Sequence, residues 1–311
     1  MAEAPVLPIR LTKVLTLDQA LPDGRAHASA ASGLVQVGDT LVVALDDEHH
    51  IGVFPRGRSG AGRALRILPG DLPVPSAERK RHKPDVEAIV RIYGEHPHDA
   101  DIVVAFGSGS AAHRSRAIVF TITDDDGLGV SPDAVLDLDA LYGRLRAEVP
   151  DLNIEAAVVL ERHLVLVARA NGSVRHNTVI RFPIDAVRNW IDGRGDVPVP
   201  ASVDPLDLGS VDGVPLGVTD ATLHPDGGWL VSAAAEDTLD SYADGRVVGA
   251  ALVWLSATLD PIARWTLNPI VKVEGITADR HGSTIRVAMV TDADDPTAPA
   301  GLYEAILPAV R

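Results

Sequence analysis

The sequence predicts an all-β protein: a five-bladed β-propeller with four antiparallel strands in each blade. Three observations carry this. Blocks of four short strand-like segments, separated by turn residues, recur along the chain. The first segment of each block holds a polar residue beside small ones: Ser32–Gly33, Glu87–Ala88, Glu155–Ala156, Thr219–Asp220–Ala221 and Glu274–Gly275. The apolar content of 46% rests on Val, Leu, Ile and Ala, with 4% aromatics, which suits small stacked sheets.

A lone strand at residues 11–17 comes first. The first block, about 30–70, reads as strands 32–37, 41–46, 51–55 and 64–68, with Gly38–Asp39 as its first turn. The second, about 84–140, reads as 86–92, 102–106, 117–123 and 134–138. The third, about 152–210, reads as 154–160, 164–168, 178–182 and 205–208. The fourth, about 216–268, reads as 218–223, 229–233, 247–255 and 263–267. The fifth, about 271–308, has only three: 273–278, 285–291 and 302–307. Strand 11–17 supplies its fourth, closes the ring and covers an open edge. All 311 residues then form one domain. A β-sandwich is the competing architecture, but the blocks recur with nothing left over. Leu138, Leu141, Leu145 and Val149 share one helical face, and residues 184–191 predict a second short helix ended by Gly193.

Up-and-down connectivity decides which loops share a face. The loops between second and third strands lie with the segments that lead into each blade. Several of them are long: 107–115, 170–177, 236–245 and 292–300. Long loops on one side of a rigid scaffold mark a binding site. The second-strand ends put Asp46, Asp47, Ser108, Arg169, Glu236, Asp237 and Asp292 on that side. Lys83, Lys272, His113, Arg114 and Arg116 join them.

The net charge of −15 argues against nucleic acid and anionic membrane as partners. The chain has no cysteine, so disulfides and thiolate metal sites are excluded. No apolar run is long enough to span a bilayer. Residues 1–10 carry no basic stretch followed by an apolar one, so a cytoplasmic protein is expected.

The inner-strand residues Ser32, Glu87, Glu155, Thr219 or Asp220, and Glu274 are expected to face one central channel. Charges about 5 Å apart repel by roughly 3 kcal/mol at an effective dielectric near 20. Either some of these acids protonate or a cation sits between them. The donors are all oxygen, which suits Ca²⁺ ahead of Mg²⁺. Hydrogen bonds from neighbouring blades are the alternative use of these glutamates. In a catalytic reading Lys83, Arg116, Arg169 and Lys272 hold an anionic group, and Asp46, Asp47 or Glu236 serves as general base. Other motifs are incomplete. Gly107–Ser108–Gly109–Ser110 lacks the lysine of a phosphate loop, and Asp124–Asp125–Asp126–Gly127 lacks the remaining ligands of an EF-hand.

These residues, in this order, resemble the calcium-activated nucleotidase (apyrase) family over about residues 32–307. The local likeness lies in Ser32–Gly33–Leu34–Val35 leading to Asp46–Asp47, in Gly217–Val218–Thr219–Asp220 leading to His224–Pro225, and in Val271–Lys272–Val273–Glu274–Gly275–Ile276. The resemblance implies a propeller whose central Ca²⁺ is held by inner-strand Ser and Glu residues. There are departures. Glu48–His49–His50 stands where the nucleotidases carry Arg-Thr-Gly, and the fourth ligand position is Thr–Asp rather than Ser–Ser. Metal binding therefore transfers better than nucleotide hydrolysis. The chain is also similar to a group of bacterial propeller proteins sharing Lys83–Pro84–Asp85 before Glu87, Gly107–Ser108–Gly109–Ser110, Asn153–Ile154–Glu155 and Lys272–Val273–Glu274–Gly275. That likeness implies a fold and no activity. Phytase-esterase-like and lactonase propellers are more distant kin.

The expected function is a Ca²⁺-dependent hydrolase of a phosphate ester, phosphoanhydride or other anionic ester, acting on a small anionic substrate. The alternatives are a non-catalytic ligand- or protein-binding propeller with a structural Ca²⁺, and a lactonase-type esterase.

Overall fold

The computed structural model describes residues 4–57, 60–94, 101–123, 129–170, 176–237, 246–292 and 294–309. The acidic run at 124–127 and parts of the loops 170–177 and 236–245 lie outside them.

Five antiparallel sheets stand in a ring as the blades of a propeller. Their inner strands are Ala31–Val37, Val86–Ile92, Ile154–Leu160, Gly217–Leu223 and Val273–His281, and each packs on the next. The chain has no single core. Five apolar clusters fill the five gaps between neighbouring blades. Alternation along a strand explains this, because successive side chains leave on opposite faces. In Thr40–Leu45, for example, Leu41, Val43 and Leu45 pack toward blade five, while Val42 and Ala44 pack toward blade two. Both faces are covered, so the second strands read as nearly unbroken apolar runs.

The ring closes as the missing strand predicts: Arg10–Val14 pairs with Gly301–Leu307 and completes blade five. A second closure was not foreseen. Val6–Pro8 pairs in parallel with Pro261–Asn268, the outer strand of blade four. Leu7 and Ile9 are buried between blades four and five, so the N-terminal segment clasps both. The outer strand of blade three is Ser202–Leu206 rather than 205–208, and the pair Ser210–Val211 and Val214–Pro215 forms a small hairpin before blade four.

Among the described residues the α-helices are Asp139–Leu145 and Ile184–Ile191, as the apolar spacing predicts, and Ser76–His82, which it does not. None of the described helices is long and apolar enough to cross a membrane.

Blades five and one meet at glycines. A Cβ on Gly275 would lie 2.6 Å from a Val290 methyl and 2.9 Å from the carbonyl carbon of Gly33. The Gly33 backbone cannot give way, so Gly275→Ala is expected to destabilise the protein by about 1–3 kcal/mol in denaturant melts. Gly143→Ala, where the added methyl meets open space in a helix, is expected to be neutral or stabilising.

Candidate functional site

Every inner strand breaks register with its neighbour at one residue. The breaks fall between Ala31 and Gly33, Val86 and Ala88, Ile154 and Ala156, Val218 and Asp220, and Val273 and Gly275. The residues passed over are Ser32, Glu87, Glu155, Thr219 and Glu274. A bulge leaves its extra residue unpaired and re-aims its side chain. Ser32, Glu87, Glu155 and Glu274 line an open cavity of about 980 Å³. Thr219 is fully buried, and its hydroxyl donates to Ser232 Oγ at 2.9 Å.

The bulge also separates Thr219 from Asp220. Asp220 Oδ2 accepts the Ile276 amide at 2.7 Å. Burial pushes its carboxyl well above the usual range, against the pull of the Ile276, Ala221 and Leu34 amides. Those amides belong to blades five, four and one. Asp220 thus staples blades and is turned away from the cavity set.

The cavity opens on the face of the long loops. Asp46 and Asp47 after the second strand of blade one, Ser110 and Arg114 in the blade-two loop, Arg169 in blade three and Asp292 in blade five all line it. Lysines sit among the acids. Lys83 Nζ bonds Asp46, lies 2.8 Å from Asp85 and 4.0 Å from Glu87. Lys272 Nζ lies 3.2 Å from Glu274, 3.0 Å from Asp294 and 3.8 Å from Glu236. Arg169 lies 2.8 Å from Glu236 and 3.9 Å from Glu155. Three of the four cations expected to hold a substrate anion are therefore engaged with carboxylates. Glu236, one of the expected bases, is gripped by two of them and does not line the cavity.

Arg116 is exposed at the head of its strand and lies off the cavity. Arg114, two residues earlier, is buried, 2.8 Å from Asp85. Asp85 lies in the lead-in to the inner strand of blade two. It holds a left-handed φ of 57°, its amide reaches the Asp46 carbonyl at 3.2 Å, and Ser108 Oγ donates to its carboxylate. A strained non-glycine position of this kind persists only where surrounding contacts over-determine it.

Protein cations do not answer all the acid charge. Burial, then the charges of Asp46, Asp85 and Glu155, push Glu87 well above the usual range. Burial drives Glu155 up to about 8, against Arg169. Glu274 is raised by burial despite Lys272, and Asp292 by burial and the Asp46 charge. Asp85 goes the other way: Lys83 and Arg114 overcome its burial and hold it ionised. Asp46, Asp85 and Glu87 offer carboxylate oxygens within 4.8 Å of one another. Asp46 Oδ1 and Glu274 Oε2 are buried without a hydrogen-bond partner among the described residues. Buried orphan oxygens in an all-oxygen donor set fit a hard cation.

A second network fixes Asp47 at the cavity wall. Arg25 bonds Asp23 at 2.7 Å, Asp47 at 3.1 Å, and also Glu48. Arg79 bonds Glu48 at 2.6 Å and Asp23 at 2.9 Å. Burial and the adjacent Asp46 charge raise Asp47 to about 6, with Arg25 opposing.

The profile of DUF6929, a family of unknown function, matches residues 27–307. The chain belongs to DUF6929. No curated protein matches it. In fold, this DUF6929 chain is similar to the glutaminyl cyclase of Myxococcus xanthus, at 8% identity and a TM-score of 0.50, with 98% of this chain and 100% of that one covered. It is also similar to the exo-β-1,3-galactanase of Phanerochaete chrysosporium, at 9% identity and a TM-score of 0.52, covering 96% of this chain and 64% of that one. Both are enzymes, and at such identities the likeness is one of fold alone.

Proposed function

We propose that this DUF6929 protein is a Ca²⁺-dependent hydrolase of a phosphate ester, phosphoanhydride or other anionic ester, with its site in the channel-mouth cavity. The observation that carries the reading is the fivefold bulge. Five strands far apart in sequence each turn one unpaired residue inward, and three of the five are glutamates under an open cavity. The likeness to the calcium-activated nucleotidases supports it.

Ser32, Glu87, Glu155 and Glu274, the bulge residues that line the cavity, would hold the ion. When bound, Ca²⁺ supplies Lewis-acid polarisation of an ester oxygen and neutralises negative charge on the substrate. Lys83, Arg169 and Lys272 hold the surrounding acids in position. Asp47, raised toward neutrality and exposed to the cavity, takes the proton of the attacking water.

A non-catalytic ligand-binding propeller with a structural Ca²⁺ is the second reading. It is favoured by one observation: Lys83, Arg169 and Lys272, three of the four cations expected to receive a substrate anion, are paired with carboxylates.

One assay separates the two. The full-length protein is tested on nucleoside diphosphates, aryl phosphates and lactones, with Ca²⁺ and with chelator. Turnover of a phosphate substrate that chelator abolishes is the expected result. Turnover of lactones alone moves the reading to an esterase, and no turnover leaves the binding propeller.

A further inference from the structure

The wall of the cavity between blades two and three differs from the rest. The helix Asp139–Leu145 docks there through buried Leu141, Tyr142 and Leu145. Tyr142 Oη donates to the Gly107 carbonyl at 2.6 Å, and its ring lies so close to Gly109 that an added Cβ there would meet it at 2.6 Å. The helix is thereby fixed to the Gly107–Ser110 turn. At its C-terminal end Arg146 reaches over that turn and donates Nη2 to the Gly109 carbonyl at 2.5 Å.

Arg146 lines the cavity and, among the described residues, has no carboxylate at ion-pair distance. Arg25, Arg79, Arg114 and Arg169 all have one. A guanidinium has five N–H donors, and the Gly109 bond uses one. Ser110, also on the cavity, is already engaged: its hydroxyl accepts from Arg114 at 2.8 Å, meets Ser108 Oγ at 2.8 Å and lies 3.2 Å from Asp85 Oδ2. Across the cavity the wall is acidic, with Asp292, Asp294 and Asp295.

We infer that Arg146 forms the subsite that receives the anionic group of the ligand, a phosphoryl or carboxylate oxyanion. The inference rests on the reading of the cavity as a site for an anionic ester, and it assigns that anion to a residue outside the channel ring. Arg146 is pre-positioned by a docked helix, and its planar fork matches two oxygens of one oxyanion.

The test is calorimetric titration of the full-length protein with methylphosphonate, an unreactive phosphate-ester mimic, and separately with acetate. Each is run with chelator and with Ca²⁺. Loss of a charge-assisted pair of hydrogen bonds predicts at least about tenfold weaker binding in Arg146→Gln. Arg146→Lys, which keeps charge and loses the fork, is expected to fall between. Arg144→Gln on the same helix, whose arginine is exposed and bonds the Val197 carbonyl, serves as the folded control and is expected to bind as the wild type does. A preference for methylphosphonate over acetate assigns a phosphoryl group, and the reverse assigns a carboxylate. Binding of neither anion by the wild type, or Arg146→Gln binding within twofold of it, overturns the inference. Anion binding that Arg146→Gln abolishes, in a protein that turns over no ester, leaves the subsite standing and removes the hydrolase reading instead. Ester turnover untouched by Arg146→Gln does the opposite.

Discussion

Glu155→Gln is expected to weaken Ca²⁺ binding by about a thousandfold while raising the melting temperature of the metal-free protein at neutral pH. The first half follows from charge. At an effective dielectric near 20, one unit charge about 4 Å from another contributes about 4 kcal/mol, and a divalent ion at least that. The second half follows from the protonation state. Burial drives Glu155 up to about 8, so without a cation the buried side chain is mostly the neutral acid at neutral pH. Glutamine is close to isosteric with that form, and the Asn153 amide that donates to Glu155 Oε1 at 2.5 Å finds an acceptor in either. The sign of the pH dependence is fixed by the same shift. The folded state keeps a proton that the unfolded chain has released, so this group's contribution is fully present below the ordinary carboxylate pKa of 4.5 and is lost as pH rises toward 8. Across that window the metal-free wild type is expected to lose roughly 1.4 kcal/mol per pH unit from this residue, a slope the Gln variant lacks. Ca²⁺ uptake replaces the proton, so apparent affinity rises with pH over the same range. Thermal melts with chelator and calorimetry in buffers of different ionisation heat read both effects. Wild-type Ca²⁺ affinity in the Gln variant removes the channel site.

How much of this could be read from the sequence depended on what each residue does to an apolar pattern. Glu155 in Ile154–Leu160 and Glu274 in the buried first half of Val273–His281 interrupt stretches that are otherwise apolar or small, and an isolated acid there stands out. The strand count worked for the same reason, since five inter-blade cores impose the same period five times. The helix Ser76–His82 left no such trace. It has no apolar stripe, and it is anchored by the buried Arg79 side chain bridging Glu48 and Asp23. Arg114 and Arg116 show the limit of counting by two. The 3₁₀ turn Ala112–Arg114 rotates Arg114 inward just before the strand begins, and no alternation within Arg116–Thr123 reports that rotation. Thr219 and Asp220 could not be separated either, because the bulge that distinguishes them is visible only in the pairing with Trp229–Asp237.

Asp47→Asn is expected to lower kcat/KM by about 10²–10⁴, the usual worth of a general base, and to erase the acid limb of the rate profile near pH 6. The position of that limb has a stated cause. Burial and the Asp46 charge raise the Asp47 carboxyl to about 6, and the Arg25 guanidinium 3.1 Å away keeps it from rising further. Below that pH the base is protonated and the rate falls; above it the rate is flat. The substitution leaves the fold intact for an electrostatic reason: two guanidinium groups, Arg25 and Arg79, now face three carboxylates, Asp23, Asp47 and Glu48, and removing one leaves them balanced. Glu236→Gln is the contrasting variant. It strips a carboxylate from between Arg169 at 2.8 Å and Lys272 at 3.8 Å, which leaves two buried cations short of a partner. Its main effect is expected in the melting temperature, with the acid limb retained. An Asp47→Asn enzyme that keeps its acid limb near pH 6 places the base on another carboxylate of the cavity, while loss of the limb in Glu236→Gln and not in Asp47→Asn assigns that role to Glu236 and makes Asp47 a partner of Arg25 alone.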